Sequence, residues 1–136
     1  MKILIIDDEV ELCEALAMYL EELEIKDLVL EMSFEGNDAL DKIKKNHYDM
    51  IICDINLPNI NGLDLSVMAR KLDINIKIVL ISGIENIMKS ISTVGLGIHN
   101  FLRKPIDTVK LSELVKTAVE EKFLIQQGGN CENFNY

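Results

Sequence analysis

The chain has 136 residues, 49% apolar and 27% charged, which is enough for one domain with its own core. Its formal net charge of −9 argues against direct binding of nucleic acid, whose phosphates it would repel. Lys2 precedes only a short apolar run, Ile3 to Ile6, too brief for a secretory signal, and no run approaches the ~20 residues that cross a bilayer, so a cytoplasmic protein without membrane contact is expected.

Ile3 to Asp7 reads as a short buried strand, because its apolar residues run without alternation into the acids Asp7-Asp8-Glu9. Val10 to Leu23 follows as a helix with Leu12, Leu16, Leu20 and Leu23 on one stripe. Leu28 to Met32 is a weaker strand, and Gly36 with Asn37 marks a turn before an amphipathic helix carrying Ala39, Leu40 and Ile43. Tyr48 to Asp54, "YDMIICD", is a third strand ending in an acid, and the loop Asn56 to Gly62 leads into a helix from Leu63 to Leu72. Gly62 reads as a turn residue.

Ile76 to Ser82 is a fourth strand, followed by a helix from Ile87 to Leu96 that Gly95 and Gly97 weaken. Asn100 to Arg103 makes a fifth strand, and Lys104-Pro105 leads to a helix from about Thr108 to Leu124 with Asp107 as its N-cap. Gln126 to Tyr136, rich in Gln, Asn and Gly, reads as a flexible tail or linker, so the domain is expected over residues 1–125 and the tail over 126–136.

Five strands alternating with helices predict an α/β fold: a doubly wound parallel sheet, helices on both faces and right-handed crossovers. The cysteines, Cys13, Cys53 and Cys131, are odd in number and show no metal-ligand spacing, so neither a disulfide framework nor a zinc site is expected. Cys13 and Cys53 are read as core.

A parallel sheet brings the carboxyl ends of its strands to one edge, where open α/β sheets bind ligands. Here those ends carry Asp7 and Asp8, Asp54, Ser82 and Lys104. Singly, each has a plain structural reading as a cap, a turn residue or a solvated charge; together they point to a site. Carboxylates brought together repel by roughly 4 kcal/mol per pair at 4 Å and an effective dielectric near 20, and Lys104 supplies one compensating charge. The remainder suits a hard divalent cation with oxygen ligands such as Mg²⁺. In that setting Asp54 can serve as a nucleophile that forms an acyl phosphate, with Mg²⁺ and Lys104 neutralising the transferring oxygens and Ser82 donating a hydrogen bond to the product.

The segments "IIDDE", "DINLPNINGLDL", "LISG" and "FLRKPI", in this order across residues 2 to 124, resemble the response-regulator receiver domain, a chemotaxis-regulator-like family. The resemblance implies a flavodoxin-like five-stranded sheet in the order 2-1-3-4-5. It makes Asp54 the phosphoacceptor and assigns Mg²⁺ (or Mn²⁺) to Asp8, Asp54 and the backbone carbonyl of Asn56, with Asp7 acting through a bound water. Ser82 and Lys104 contact the phosphoryl group, Ser82 and Phe101 form a switch toward the surface of the fourth helix, fifth strand and fifth helix, and Lys104-Pro105 is cis.

Asn56 and Ile84 flank the approach of the hydrolytic water, and Ile84, lacking a hydrogen-bonding group, implies slow self-dephosphorylation. His99-Asn100 stands where DNA-binding members usually carry acids of a dimer interface, which puts that mode of dimerisation in doubt. The implied partner is a sensor histidine kinase or a histidine phosphotransfer protein, and the domain is a signalling phosphoacceptor rather than an ordinary enzyme.

Two other classes offer similar chemistry. A haloacid-dehalogenase-type phosphohydrolase also combines an aspartyl nucleophile, Mg²⁺, a hydroxyl and a lysine, but begins with a DxD motif that is missing at Asp7. A nucleotide- or flavin-binding domain of this topology would carry a glycine-rich phosphate loop, and neither GxGxxG nor GxxxxGK[ST] occurs. A pseudo-receiver that is never phosphorylated fits poorly with a complete set of pocket residues. With no output domain after the last helix, a single-domain regulator, a phosphorelay intermediate and a fragment of a longer protein remain open.

Overall fold

The apolar stretches of β1 (Lys2–Ile6) and β3 (Met50–Asp54) lie side by side in the middle of the sheet, buried from Ile3 to Ile6 and from Met50 to Asp54. A strand covered on both faces has no use for alternating polar residues, which is why these runs are continuous. The computed structural model describes residues 1–83 and 100–131. With β2 (Val29–Ser33), β4 (Lys77–Ser82) and β5 (Asn100–Arg103) they form a five-stranded parallel sheet in the order β2-β1-β3-β4-β5. This is the flavodoxin-like order the resemblance implies.

Successive side chains in a strand point to opposite faces, and the core divides accordingly. Ile3, Ile5, Met50, Ile52, Val79 and Ile81 pack with α1 (Val10–Glu21) and the C-terminal helix α4 (Thr108–Cys131), whose Leu111, Val115 and Ala118 are buried. Leu4, Ile6, Ile51, Cys53, Ile78 and Leu80 face α2 (Gly36–Lys45) and α3 (Gly62–Leu72) through Ala39, Ile43, Leu65 and Ala69. Cys13 and Cys53 belong to these two layers. Burial pushes the Cys13 thiol up to about 12, with Asp7 adding to the effect, so it packs as an inert apolar group.

Several boundaries depart from the sequence reading. Gly36 begins α2 instead of forming a turn before it, because the helix start presses on the β3–α3 loop: a Cβ at Gly36 would lie 2.7 Å from Cβ of Ile60. α1 ends at Glu21, short of Leu23, and the chain then turns through Glu24 and Asp27 at φ 55° and 59°. α4 runs past Leu124 to Cys131, into the stretch from Gln126 expected to be a tail. Just before this stretch Lys122 is held by Asp49 at 3.0 Å, and Gln126 and Gln127 are good helix formers with no proline among them. At its start, Asp107 Oδ1 accepts the N–H groups of Val109 (3.0 Å) and Lys110 (3.2 Å), the expected cap. The expected helix from Ile87 to Leu96, and with it Ile84 and His99, lies outside the described residues. Among the described residues no helix is long and apolar enough to cross a membrane.

Asp49 ties the opposite edge of the sheet together, accepting the Lys2 N–H at 2.7 Å and the Lys122 ammonium at 3.0 Å. Burial works to raise its pKa, but these two donors, helped by His47, hold it below the ordinary carboxylate value. A depressed folded-state pKa gives stability that is present above the unfolded value near 3.9 and lost as pH falls through the folded one. Asp49→Ala should therefore cost about 1–3 kcal/mol at pH 7. Urea unfolding from pH 7 down to pH 3 should show the gap to wild type narrowing below about pH 4; a constant gap would mean that the ion pair is not its source.

Candidate functional site

Parallel register places four functional side chains at one edge. Ile6 is paired with Cys53, Asp54 with Ile81, and Ser82 with Arg103. Asp7 therefore follows the end of β1 beside Asp54 at the end of β3, while Ser82 closes β4 and Lys104 follows β5. Lys104 N–H donates to the Ser82 carbonyl at 2.9 Å, and Asp7 N–H to the Ser33 carbonyl at 3.1 Å, so both turns are pinned to neighbouring strands. The Lys104–Pro105 peptide is cis.

Asp7 and Asp54 are buried at 1% and 4% exposure, Ser82 is buried as well, and Asp8 is exposed. One oxygen from each of Asp7, Asp8 and Asp54 lies within 4.8 Å of the others. Lys104 Nζ reaches over this group, 3.1 Å from Asp7 Oδ2, 3.1 Å from Asp54 Oδ2 and 3.0 Å from Glu9 Oε1. Asp7 Oδ1 accepts the Glu9 N–H at 2.9 Å, whereas its buried Oδ2 has the charge of Lys104 nearby but no aligned hydrogen bond.

Burial pushes the Asp7 carboxyl above its ordinary pKa and the Asp54 charge adds to this, against the opposing pull of the Glu9 N–H and Lys104. Burial pulls Lys104 the other way, yet Glu9, Asp54 and Asp7 together outweigh it and raise its pKa. Lys104 is therefore a firm cation that still leaves the carboxylates under-compensated. An all-oxygen donor set with an unsatisfied buried oxygen suits a hard divalent cation such as Mg²⁺ or Mn²⁺.

A buried carboxyl with a raised folded pKa favours the fold while protonated, and that stability is lost as pH rises from its unfolded pKa through its folded one. Asp7→Asn keeps the acceptor for Glu9 N–H and removes the charge. In chelator at pH 7 it should raise Tm by about 3–10 °C, the equivalent of roughly 1–2 kcal/mol, and should reduce the further rise on adding Mg²⁺. A lower Tm in chelator would show that Asp7 is fully compensated by Lys104.

The loop after Asp54 is shaped by its own backbone. Asn56 N–H donates to Asp54 Oδ1 at 3.0 Å, Ile55 N–H to Ile81 carbonyl at 3.0 Å, and Gly62 N–H back to Ile55 carbonyl at 2.8 Å. Asn61 caps α3 by accepting Asp64 N–H at 2.9 Å. Gly62 packs its Cα against the end of β3, where a Cβ would stand 2.8 Å from Ile55 Cα. Its role is close approach, a stronger demand than the turn expected of it. Phe101 is half-buried on the face shared with Leu4, Ile6 and Leu80.

Glu9 was not among the expected site residues, although its carboxylate meets Lys104. The third acid of Asp7-Asp8-Glu9 was its one visible signal; the partner lies 95 residues away in sequence.

A five-stranded 2-1-3-4-5 sheet with an acidic trio and one lysine at its carboxyl edge defines a receiver-type signalling domain. The family profile described as the response regulator receiver domain matches residues 3–116, and the chain belongs to that family, a component of two-component systems. It is 30% identical over 121 residues to the response regulator ArlR of Staphylococcus haemolyticus, covering 88% of this chain and 53% of the relative. The chain thus spans about half the length of such curated relatives. Among solved structures, the receiver domain of the Francisella response regulator 1452 is 26% identical with a TM-score of 0.77, covering 89% of this chain and 98% of that one. A CheY-like receiver domain protein from Methanospirillum hungatei is 25% identical with a TM-score of 0.78, covering 88% and 94%.

Proposed function

We propose that the domain accepts a phosphoryl group on Asp54 from a phosphohistidine donor, a sensor histidine kinase or a histidine phosphotransfer protein. The observation that carries this reading is Asp54 itself, 4% exposed yet facing both Lys104 and two further carboxylates across the ligand edge of the sheet. A carboxylate oxygen of Asp54 attacks phosphorus, the new P–O bond forms as the donor P–N bond breaks, and the electron pair leaves with the imidazole nitrogen.

Asp7, Asp8 and Asp54, with the Asn56 carbonyl, would hold Mg²⁺ or Mn²⁺, which when bound supplies charge neutralisation for the transferring oxygens. Lys104 supplies a second positive charge, 3.1 Å from Asp54 Oδ2, and the Asn56 N–H keeps the Asp54 carboxylate oriented. Ser82, buried at the end of β4, donates to the phosphoryl group, and the switch runs from it to Phe101, which lies on β5 opposite Leu80, two residues before Ser82 on β4. Two charge-assisted hydrogen bonds, each about 1.5–3 kcal/mol, approach the ~5.5 kcal/mol that carries a two-state equilibrium from 1:99 to 99:1.

Incubation with acetyl phosphate and Mg²⁺ should add one phosphoryl group by intact mass. Excess EDTA should reduce labelling to background, and Asp8→Ala should do the same with Mg²⁺ present. Undiminished labelling in EDTA would remove the metal from the reading.

A further inference from the structure

We infer that Glu9 is a positioning residue that holds Lys104 at the mouth of the site and thereby slows phosphorylation by small anionic donors; this rests on the phosphoacceptor reading of Asp54. Lys104 Nζ lies as close to Glu9 as to Asp7 and Asp54, at 3.0, 3.1 and 3.1 Å, but the three carboxylates differ in place. The Glu9 side chain is 63% exposed against 1% for Asp7 and 6% for Asp54, so Glu9 stands on the solvent side of the ammonium.

The backbone of Glu9 is fixed. Its N–H donates to Asp7 Oδ1 at 2.9 Å, and its carbonyl accepts Cys13 N–H at 3.1 Å as the first turn of α1 closes. Glu9 occupies the N-cap position of α1 and makes no side-chain capping bond. Its carboxylate reaches over to Lys104 instead.

Glu9 stands apart from the Asp7, Asp8 and Asp54 trio whose oxygens converge. A cation held by the trio relieves Asp7 and Asp54 of their need for Lys104 but leaves Glu9 in place. An acyl phosphate approaching from solvent meets the Glu9 charge first and must take Lys104 from it. Because the Glu9 carboxylate is largely exposed and screened, its effect is modest, about two- to fivefold in the donor concentration needed for half-maximal labelling rate.

The test compares wild type, Glu9→Gln and Glu11→Gln, the last removing an exposed acid from the first turn of α1. With acetyl phosphate and saturating Mg²⁺, Glu9→Gln should lower the half-saturating donor concentration about two- to fivefold, and Glu11→Gln should leave it unchanged. In EDTA without donor, acylation of Lys104 by an amine-reactive ester, mapped by mass spectrometry, should be faster in Glu9→Gln than in wild type. Unchanged or slower labelling in Glu9→Gln, an equal gain in Glu11→Gln, or an unchanged Lys104 acylation rate would each overturn the proposal. Absence of labelling in wild type would instead overturn the phosphoacceptor reading, while the acylation comparison would still decide whether Glu9 holds Lys104.

Discussion

Replacing Gly62 with alanine should cost the domain about 3–5 kcal/mol and lower its Tm by roughly 10–20 °C. On helix propensity alone the sign would be opposite, since alanine in a helix is favoured over glycine by about 1 kcal/mol. Geometry decides against propensity here. The added Cβ would meet the Asp54 carbonyl, with the Asp54 carbonyl carbon at 2.9 Å and Ile55 Cα at 2.8 Å. All three are backbone atoms at the end of a central strand, so no rotamer change can make room. Either α3 moves outward, opening the packing of Leu65 and Ala69, or the end of β3 shifts and carries the Asp54 carboxylate with it. Urea unfolding gives the first cost and the labelling rate the second; a variant as stable as wild type would show that α3 slides without resistance.

Asp54→Asn should reduce phosphoryl labelling at least a hundredfold while leaving the fold intact. The amide still accepts Asn56 N–H through its oxygen, so the loop keeps its anchor. It lacks the negative charge that makes a carboxylate oxygen nucleophilic, and it no longer pairs ionically with Lys104. Because it removes one of the crowded negative charges, the variant should be no less stable than wild type in chelator. Intact mass and thermal melts on the same preparation separate loss of chemistry from loss of fold. Substantial labelling of the variant would place the acceptor elsewhere.

The residues that the sequence marks as strand ends are those the structure brings together, because a parallel sheet converts chain order into a shared edge. Continuous apolar runs identified β1 and β3, and the acids that stop them fall where the strands leave the core. Glu9 and Gly62 show what such patterns miss. The Glu9 contact joins the start of α1 to the turn after β5, a meeting that no local periodicity reports. Gly62 is dictated by the distance between α3 and the last residues of β3, and Gly36 by the distance between α2 and Ile60, so both glycines record tertiary approach that resembles ordinary turn chemistry in sequence. The extent of α4 differs for another reason: beyond Leu124 the composition turns to Gln, Gly and Asn, which in sequence resembles a tail, while the helix continues to Cys131.

The most direct measurement is chemical trapping of the phosphorylated group. Protein labelled with acetyl phosphate and Mg²⁺ is reduced with borohydride, which cleaves an acyl phosphate and leaves an alcohol at the former carboxyl carbon, and the digest is mapped by mass spectrometry. Reduction confined to position 54, absent when EDTA is present during labelling, is the predicted result. Reduction at Asp7 or Asp8, or a phosphoryl group that resists borohydride and maps to Ser82, would contradict Asp54 as the acceptor.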